Sequence, residues 1–250
     1  MVILGTGYTG RSVLDLLQSH GYQTVGTRRS ASDTAVFDLE KPETWKNLPP
    51  AWGAVWTFPA EPVDTVRAFS VLLFERVQRL VVIGTTSSYL VVNDGETVSE
   101  ATPLDAAAAR VPGEEYLRSK GAIIMRSSGI YGRNRNPLDW VRRGIVRDMN
   151  KMVNLIHVED LSASILAALE RGVPGSSYIV TDGRPRVWKE IVEWGIQHGY
   201  VKHPPQPGVS PRPSRRIDNT KLIAELHPQL SHLDLFDELH VLEQNPSTQA

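Results

Sequence analysis

Short apolar runs alternate with stretches of helical periodicity through the first two thirds of the chain. Met1-Val2-Ile3-Leu4 is apolar throughout, and strand-like runs recur at 22–27, 34–39, 52–58, 80–85 and 122–126. Runs that carry apolar residues on both faces belong to a parallel sheet covered on both sides. Between them, residues 11–17 and 64–76 carry helical periodicity, the latter placing Val66, Phe69, Leu72 and Leu73 on one face. Pro42 and Glu43 open a short helix. Beyond about Asn134 the pattern loosens. Residues 138–148, 158–171 and 187–198 read as helices and 177–180 as a short strand. Five of the 17 prolines fall within 204–213, which predicts an extended loop there, and 245–250 are expected to fray. The alternation predicts an α/β chain: a Rossmann-type doubly wound parallel sheet over residues 1–150, then a mixed region over 151–250 that returns to the sheet.

Composition narrows the chemistry. With 250 residues, 41% of them hydrophobic, the chain can build a core of that size. A net charge of −1 leaves no basic footprint for nucleic acid or a membrane surface. The absence of cysteine excludes disulfides, thiolate nucleophiles and thiolate metal sites. No apolar run approaches the roughly 18 residues of a membrane helix. No leader pattern precedes the first strand, so a cytoplasmic location is expected. The seven histidines show no metal-ligand spacing, and no metal is expected.

The first βα junction carries Gly5-Thr6-Gly7-Tyr8-Thr9-Gly10. Between a strand and a helix this G-x-G-x-x-G has a mechanism. Its glycines allow the tight turn, the approach of a pyrophosphate and close helix–strand packing, while the helix N-terminus offers free N–H groups to phosphate. Dinucleotide binding follows. An NAD site places an acid at the end of the second strand to bind the ribose hydroxyls. Here the chain reads Thr27-Arg28-Arg29-Ser30. Two guanidiniums and a hydroxyl suit a 2′-phosphate, so NADP(H) is expected in preference to NAD(H).

Several ordered motifs resemble those of the extended short-chain dehydrogenases/reductases, the group of NAD(P)-dependent epimerases and dehydratases. The glycine loop is one. Asp38-Leu39 resembles the acid-plus-apolar pair that contacts adenine, and Val81-Val82-Ile83-Gly84-Thr85-Thr86-Ser87-Ser88-Tyr89 the strand-five run ending in a catalytic Ser or Thr. Arg126-Ser127-Ser128-Gly129-Ile130-Tyr131-Gly132 resembles a segment beside the nicotinamide, and Ile156-His157-Val158-Glu159-Asp160-Leu161 an I-H-V-x-D-L signature. The resemblance spans about residues 1–195. It implies cofactor contacts from Thr57, Phe58, Pro59, Gly84, Ser128 and Gly129 as well, and a small C-terminal lobe that closes over the substrate.

One departure bears on catalysis. The family's chemistry uses a Tyr with a Lys four residues later, the phenol exchanging a proton while hydride moves. The chain contains Tyr116-Leu117-Arg118-Ser119-Lys120, but Tyr116 stands ten residues before Arg126, at the far end of its helix. The position expected for the tyrosine falls within 101–109, which holds an alanine run and no phenol. Tyr116 then reads as a packing residue and Lys120 as a helix-end cation. The nearby substitutes are Thr85, Thr86, Ser87, Ser88, Tyr89 and Arg110, with Thr85, Thr86 and Tyr89 the candidate catalytic groups. The competing account is a Ser/Thr loop that satisfies its own backbone. His157 reads as a capping residue. Arg133, Arg135, Arg142, Arg143 and Arg147 form either a solvated helix face or an anion clamp, and Arg212, Arg215 and Arg216 are a second candidate anion site. Two functions stay open: an NADP(H)-dependent oxidoreductase of a small, plausibly anionic molecule, or a non-catalytic NADP(H)-binding sensor or scaffold. A monomer or a homodimer fits either.

Overall fold

The computed structural model describes residues 1–30 and 35–245. Seven parallel strands form the central sheet: β1 (Val2–Leu4), β2 (Val25–Arg28), β3 (Ala35–Val36), β4 (Ala51–Trp56), β5 (Val77–Thr85), β6 (Ile123–Ser127) and β7 (Ser177–Val180). Their spatial order is β7-β6-β5-β4-β1-β2-β3. The order reverses between β1 and β4, so the C-terminal ends of these strands flank the crevice where ligands of open α/β sheets bind.

Apolar residues on both faces of each strand explain the layering. Ile3, Val55, Val81 and Ile83 face one side, packed with Val13, Leu14 and Leu17 of α1 (Tyr8–Ser19). Leu161 and Ile165 of α5 (Val158–Arg171) join that layer. Val2, Leu4, Trp56 and Val82 face the other, against Phe69 and Leu73 of α2 (Val63–Arg76) and Leu117 of α3 (Val111–Ser119). The period of two in a strand buried on both faces sorts neighbours to opposite layers.

Four expected elements have different extents. β3 is confined to Ala35–Val36, and Thr34 of its expected run lies outside the described residues. Residues 42–47 form a 3-10 turn. β5 begins at Val77, earlier than its apolar run. The helix expected over 138–148 is the short α4 (Pro137–Arg142), opened by Asn136 Oδ1 accepting from the Leu138 amide at 2.9 Å. It stops before Gly144, whose φ of 68° lies in the left-handed region where a helix cannot continue.

The rest of the chain builds a second cluster beyond the strand ends. Tyr131, Leu138, Val141 and Leu155 pack there with Ile191 and Val192 of α6 (Trp188–Gln197) and Leu235 and Leu239 of α8 (Leu235–Gln244). Three two-stranded ribbons stitch it to the sheet: 129–131 with 155–157, 152–153 with 186–187, and 96–98 with 215–217. A further helix, α7 (Thr220–Leu226), returns to the α5 side of the sheet through Leu222 and Leu226. Among the described residues no helix is long and apolar enough to cross a membrane.

Candidate functional site

The glycine loop joins β1 to α1 and is pinned to the end of β2. Gly5 has φ +89°, and its amide donates to Thr27 Oγ1 at 3.0 Å. The Thr6 amide donates to the Thr27 carbonyl at 2.9 Å, and Thr6 Oγ1 donates to the same oxygen at 3.1 Å. A Cβ on Gly10 would lie 2.0 Å from the Gly5 carbonyl oxygen, so only glycine fits there. A Cβ on Gly7 would meet nothing within 4 Å. Gly7 caps α1, and no side chain accepts from the amides of the first turn, Tyr8 and Thr9 among them. Open space above uncapped helix amides is what a pyrophosphate needs. The residues present fit such a group.

Thr57, Phe58 and Pro59 follow β4 beside this loop. Thr57 Oγ1 donates to the carbonyls of Leu4 at 2.9 Å and Gly5 at 2.6 Å, and the Phe58 ring lies 3.0 Å from where a Gly5 Cβ would stand. Arg28, at the end of β2, folds back over the loop: Nε donates to Thr6 Oγ1 at 3.0 Å and Nη2 to the Thr6 carbonyl at 3.4 Å. Arg29 and Ser30 are exposed just beyond it. Asp38 accepts from the Glu40 amide at 3.1 Å and faces Lys41 at 3.9 Å, while the Leu39 side chain is buried in the α2-side core.

At the end of β5, Thr85 is half-buried, and its hydroxyl donates to Ser87 Oγ at 3.2 Å while accepting from the Ser87 amide. Thr86 is buried, and its carbonyl accepts from Arg215 Nη1 at 3.3 Å. Gly84 lies inside β5, where a Cβ would stand 3.0 Å from the Glu114 carboxylate. Ser128 and Gly129 follow β6; the Ser128 amide donates to Val180 and the Gly129 amide to Asn154.

Tyr89, a candidate catalytic group in the sequence, is turned into the interior. Tyr89 is 3% exposed and packs with Val98, Ile179 and Ile217, with the Arg126 guanidinium 5.5 Å from its ring centre. Burial pushes its phenol up to about 12, so it is held protonated. Tyr116 lies on the α2 side of α3, its hydroxyl 3.4 Å from Ser70 Oγ and its ring flanked by Arg67 and Lys120. Six residues separate it from Arg110, about 9 Å along the helix axis. Arg110 itself sits at the strand ends: Nε donates to Glu114 at 2.5 Å and Nη2 to the Ile83 carbonyl at 2.7 Å. Glu114 is fully buried and lies 3.6 Å from Arg126 Nε, and Arg126 also donates to Glu115 at 2.7 Å. Burial pushes the Glu114 carboxyl up, against the pull of Arg110 and Arg126.

The arginines of the two sets take up different partners, although Arg147 packs against Gly208 of the loop that leads to Arg212. Arg142 meets Asp139 at 2.6 Å and Glu243 at 2.9 Å, Arg135 lies over the Tyr8 ring, and Arg147 donates to the Gly144 carbonyl. Arg216 reaches the Gly95 carbonyl, whereas Arg215 turns in to Thr86. The fold also assembles a cluster that spacing does not reveal. His157, Glu159 and His232 offer ligand atoms within 4.8 Å of one another. His157 caps α5 through Nδ1, as expected, and its ring stacks on His232 at 3.7 Å. Imidazole lone pairs lie in the ring plane, so two stacked rings do not aim at one ion. His232 instead stands between Glu159 at 3.1 Å and Glu238 at 2.8 Å, an ion-pair arrangement.

No family model and no curated protein matches the chain. Solved structures do. A Methylobacillus flagellatus protein provisionally assigned as an NAD-dependent epimerase/dehydratase is 24% identical over 98% of this chain and 97% of its own, with a TM-score of 0.80. A dTDP-glucose 4,6-dehydratase from Bacillus anthracis, solved with NAD, is 16% identical over 98% and 96%, with a TM-score of 0.75. RMD from Pseudomonas aeruginosa, solved with NADPH, is 14% identical over 97% and 99%, with a TM-score of 0.73. The chain therefore shares the fold of these epimerase/dehydratase-type structures over 97–98% of its length.

Proposed function

We propose that the protein is an NADP(H)-dependent oxidoreductase of a small anionic molecule, with an active site that works without the usual tyrosine. The observation that carries the reading is Arg28, held over the glycine loop by Thr6 where an NAD site would present an acid. Gly5, Gly7, Gly10 and the first amides of α1 bind the pyrophosphate, Arg28, Arg29 and Ser30 the 2′-phosphate, and Thr57, Phe58 and Pro59 line the flank. When bound, the cofactor supplies hydride chemistry. The Thr85 hydroxyl orients the substrate carbonyl, and Gly84, Ser128 and Gly129 frame the space beside it. Among the described residues no tyrosine hydroxyl is hydrogen-bonded to Thr85, so the proton for the product oxygen comes from solvent.

NADPH should bind more tightly than NADH, and Arg28→Ala should abolish the preference while leaving NADH affinity within a few-fold. Equal affinities for the two cofactors in the unmodified protein, measured by fluorescence titration, would sink the reading. The burial of Tyr89 and the displacement of Tyr116 favour a second reading, an NADP(H)-binding sensor without turnover. Steady NADPH oxidation with any member of a broad carbonyl panel would eliminate it.

A further inference from the structure

Among the described residues, Arg215 is a cation without a counter-charge. Its strand, residues 215–217, pairs with 96–98, which lays the side chain against the loop after β5. Nη1 donates to the Thr86 carbonyl at 3.3 Å, one residue from the Thr85 hydroxyl. Among the described residues no carboxylate pairs with it. Its charged neighbour is Arg212, and Lys151 feels its charge in turn. Of the other inward-turned arginines, Arg126 meets Glu114 and Glu115 and Arg186 meets Asp182 at 2.7 Å, whereas Arg79 donates to the Ala168 and Gly172 carbonyls at the end of α5, far from the ends of the sheet strands where Arg215 lies. Burial and then Arg212 hold the Arg215 guanidinium below its ordinary pKa. Arg215 is half-buried, and a partly desolvated charge with no acid partner beside the candidate reaction site points to an anion brought by a ligand.

We propose that Arg215 is the receptor for a carboxylate that the substrate carries within a few bonds of its reacting carbonyl, so that the substrate class is a short oxo acid. This rests on the oxidoreductase reading for the word substrate, but not for the anion site. The Thr86 carbonyl fixes one edge of the guanidinium and leaves N–H groups free for a two-point contact with a carboxylate. Thr85, the adjoining residue, takes the carbonyl oxygen. One hydroxyl and one guanidinium thus read two neighbouring groups of one small molecule.

Isothermal titration at fixed ionic strength, with and without NADPH, tests this using oxalate and its neutral isostere oxamide. Oxalate should bind the unmodified protein, Arg215→Gln should weaken it by about tenfold to a hundredfold, as expected for charge-assisted hydrogen bonds, and oxamide should bind neither. The Arg215→Gln protein should melt no lower than the unmodified one, because an unpaired charge has been removed. Arg215→Lys should keep part of the affinity. Equal oxalate affinity with and without Arg215, no oxalate binding at all, or equal binding of oxamide would overturn the proposal. So would a markedly lower melting temperature of Arg215→Gln, which would make Arg215 a structural residue. Turnover does not enter the readout. Separately, Arg215-dependent oxalate binding alongside no NADPH oxidation across a panel of short oxo acids would overturn the enzyme reading alone.

Discussion

Thr6 ties two functions of the glycine loop together. Its amide and hydroxyl fix the loop to Thr27, and the same hydroxyl accepts from Arg28, so loop geometry and the arginine's position depend on one side chain. The glycines and Arg28 are visible in the sequence because local backbone geometry and charge demand them. Tyr89 shows the opposite case. Four residues past Thr85 it has the right chemistry, but its burial under Arg126 comes from residues 98, 179 and 217, which the local sequence does not contain. Tyr116 has a weak hydroxyl contact with Ser70 and no group at the strand ends. Tyr116→Phe should therefore keep NADPH affinity and any turnover within a few-fold, and cost at most about 1 kcal/mol in urea denaturation. A loss of about 10³-fold in rate, the size of an essential proton donor, would show that the phenol reaches the substrate.

At the scale of elements, the start of α5 anchors the C-terminal segment. Asp160, 1% exposed, accepts from the amides of Ser231 at 2.8 Å and His232 at 3.0 Å. Asp234 then caps α8, and Glu243 near its end meets Asn136 and Arg142. Within this clasp the two histidines titrate in opposite directions. Burial, with His232 nearby, pushes His157 down to about 3, so it is neutral at physiological pH. Burial also pulls His232 down, but Glu238, Asp160 and Glu159 more than reverse this and raise it. A raised histidine binds more protons folded than unfolded, so its stabilisation is complete below the unfolded pKa, about 6.5. It is lost as pH rises through the folded value. The melting temperature of wild type above His232→Gln should shrink accordingly on the alkaline side. A difference independent of pH would show that His232 acts by packing alone. Sequence periodicity locates α5 well, yet nothing in it pairs residue 157 with residue 232.

For the molecule as a whole, the sheet carries two helical layers, and the residues around α6 and α8 form a separate apolar cluster. Leu239 is fully buried in that cluster with Ile191, Val192 and Leu235. Leu239→Ala should cost about 2–5 kcal/mol. It should loosen the cluster before the sheet, so fluorescence from Trp140, Trp188 and Trp194 changes at lower urea than sheet circular dichroism. Coincident transitions would show one cooperative unit. The sequence by itself determined the parallel sheet, its two faces and the glycine loop. Each of those depends on period, on backbone conformations that glycine alone adopts, or on charges placed within one βα unit. It did not reveal α7, α8 or the ribbons, whose short runs gain their stability from partners far along the chain. Only the tertiary structure decided that Tyr89 is enclosed, that His232 sits between two acids, and that Arg215 reaches the end of β5 with no acid among the described residues to meet it. Burial and pairing are properties of residues that meet across the chain, and spacing along the chain does not encode them.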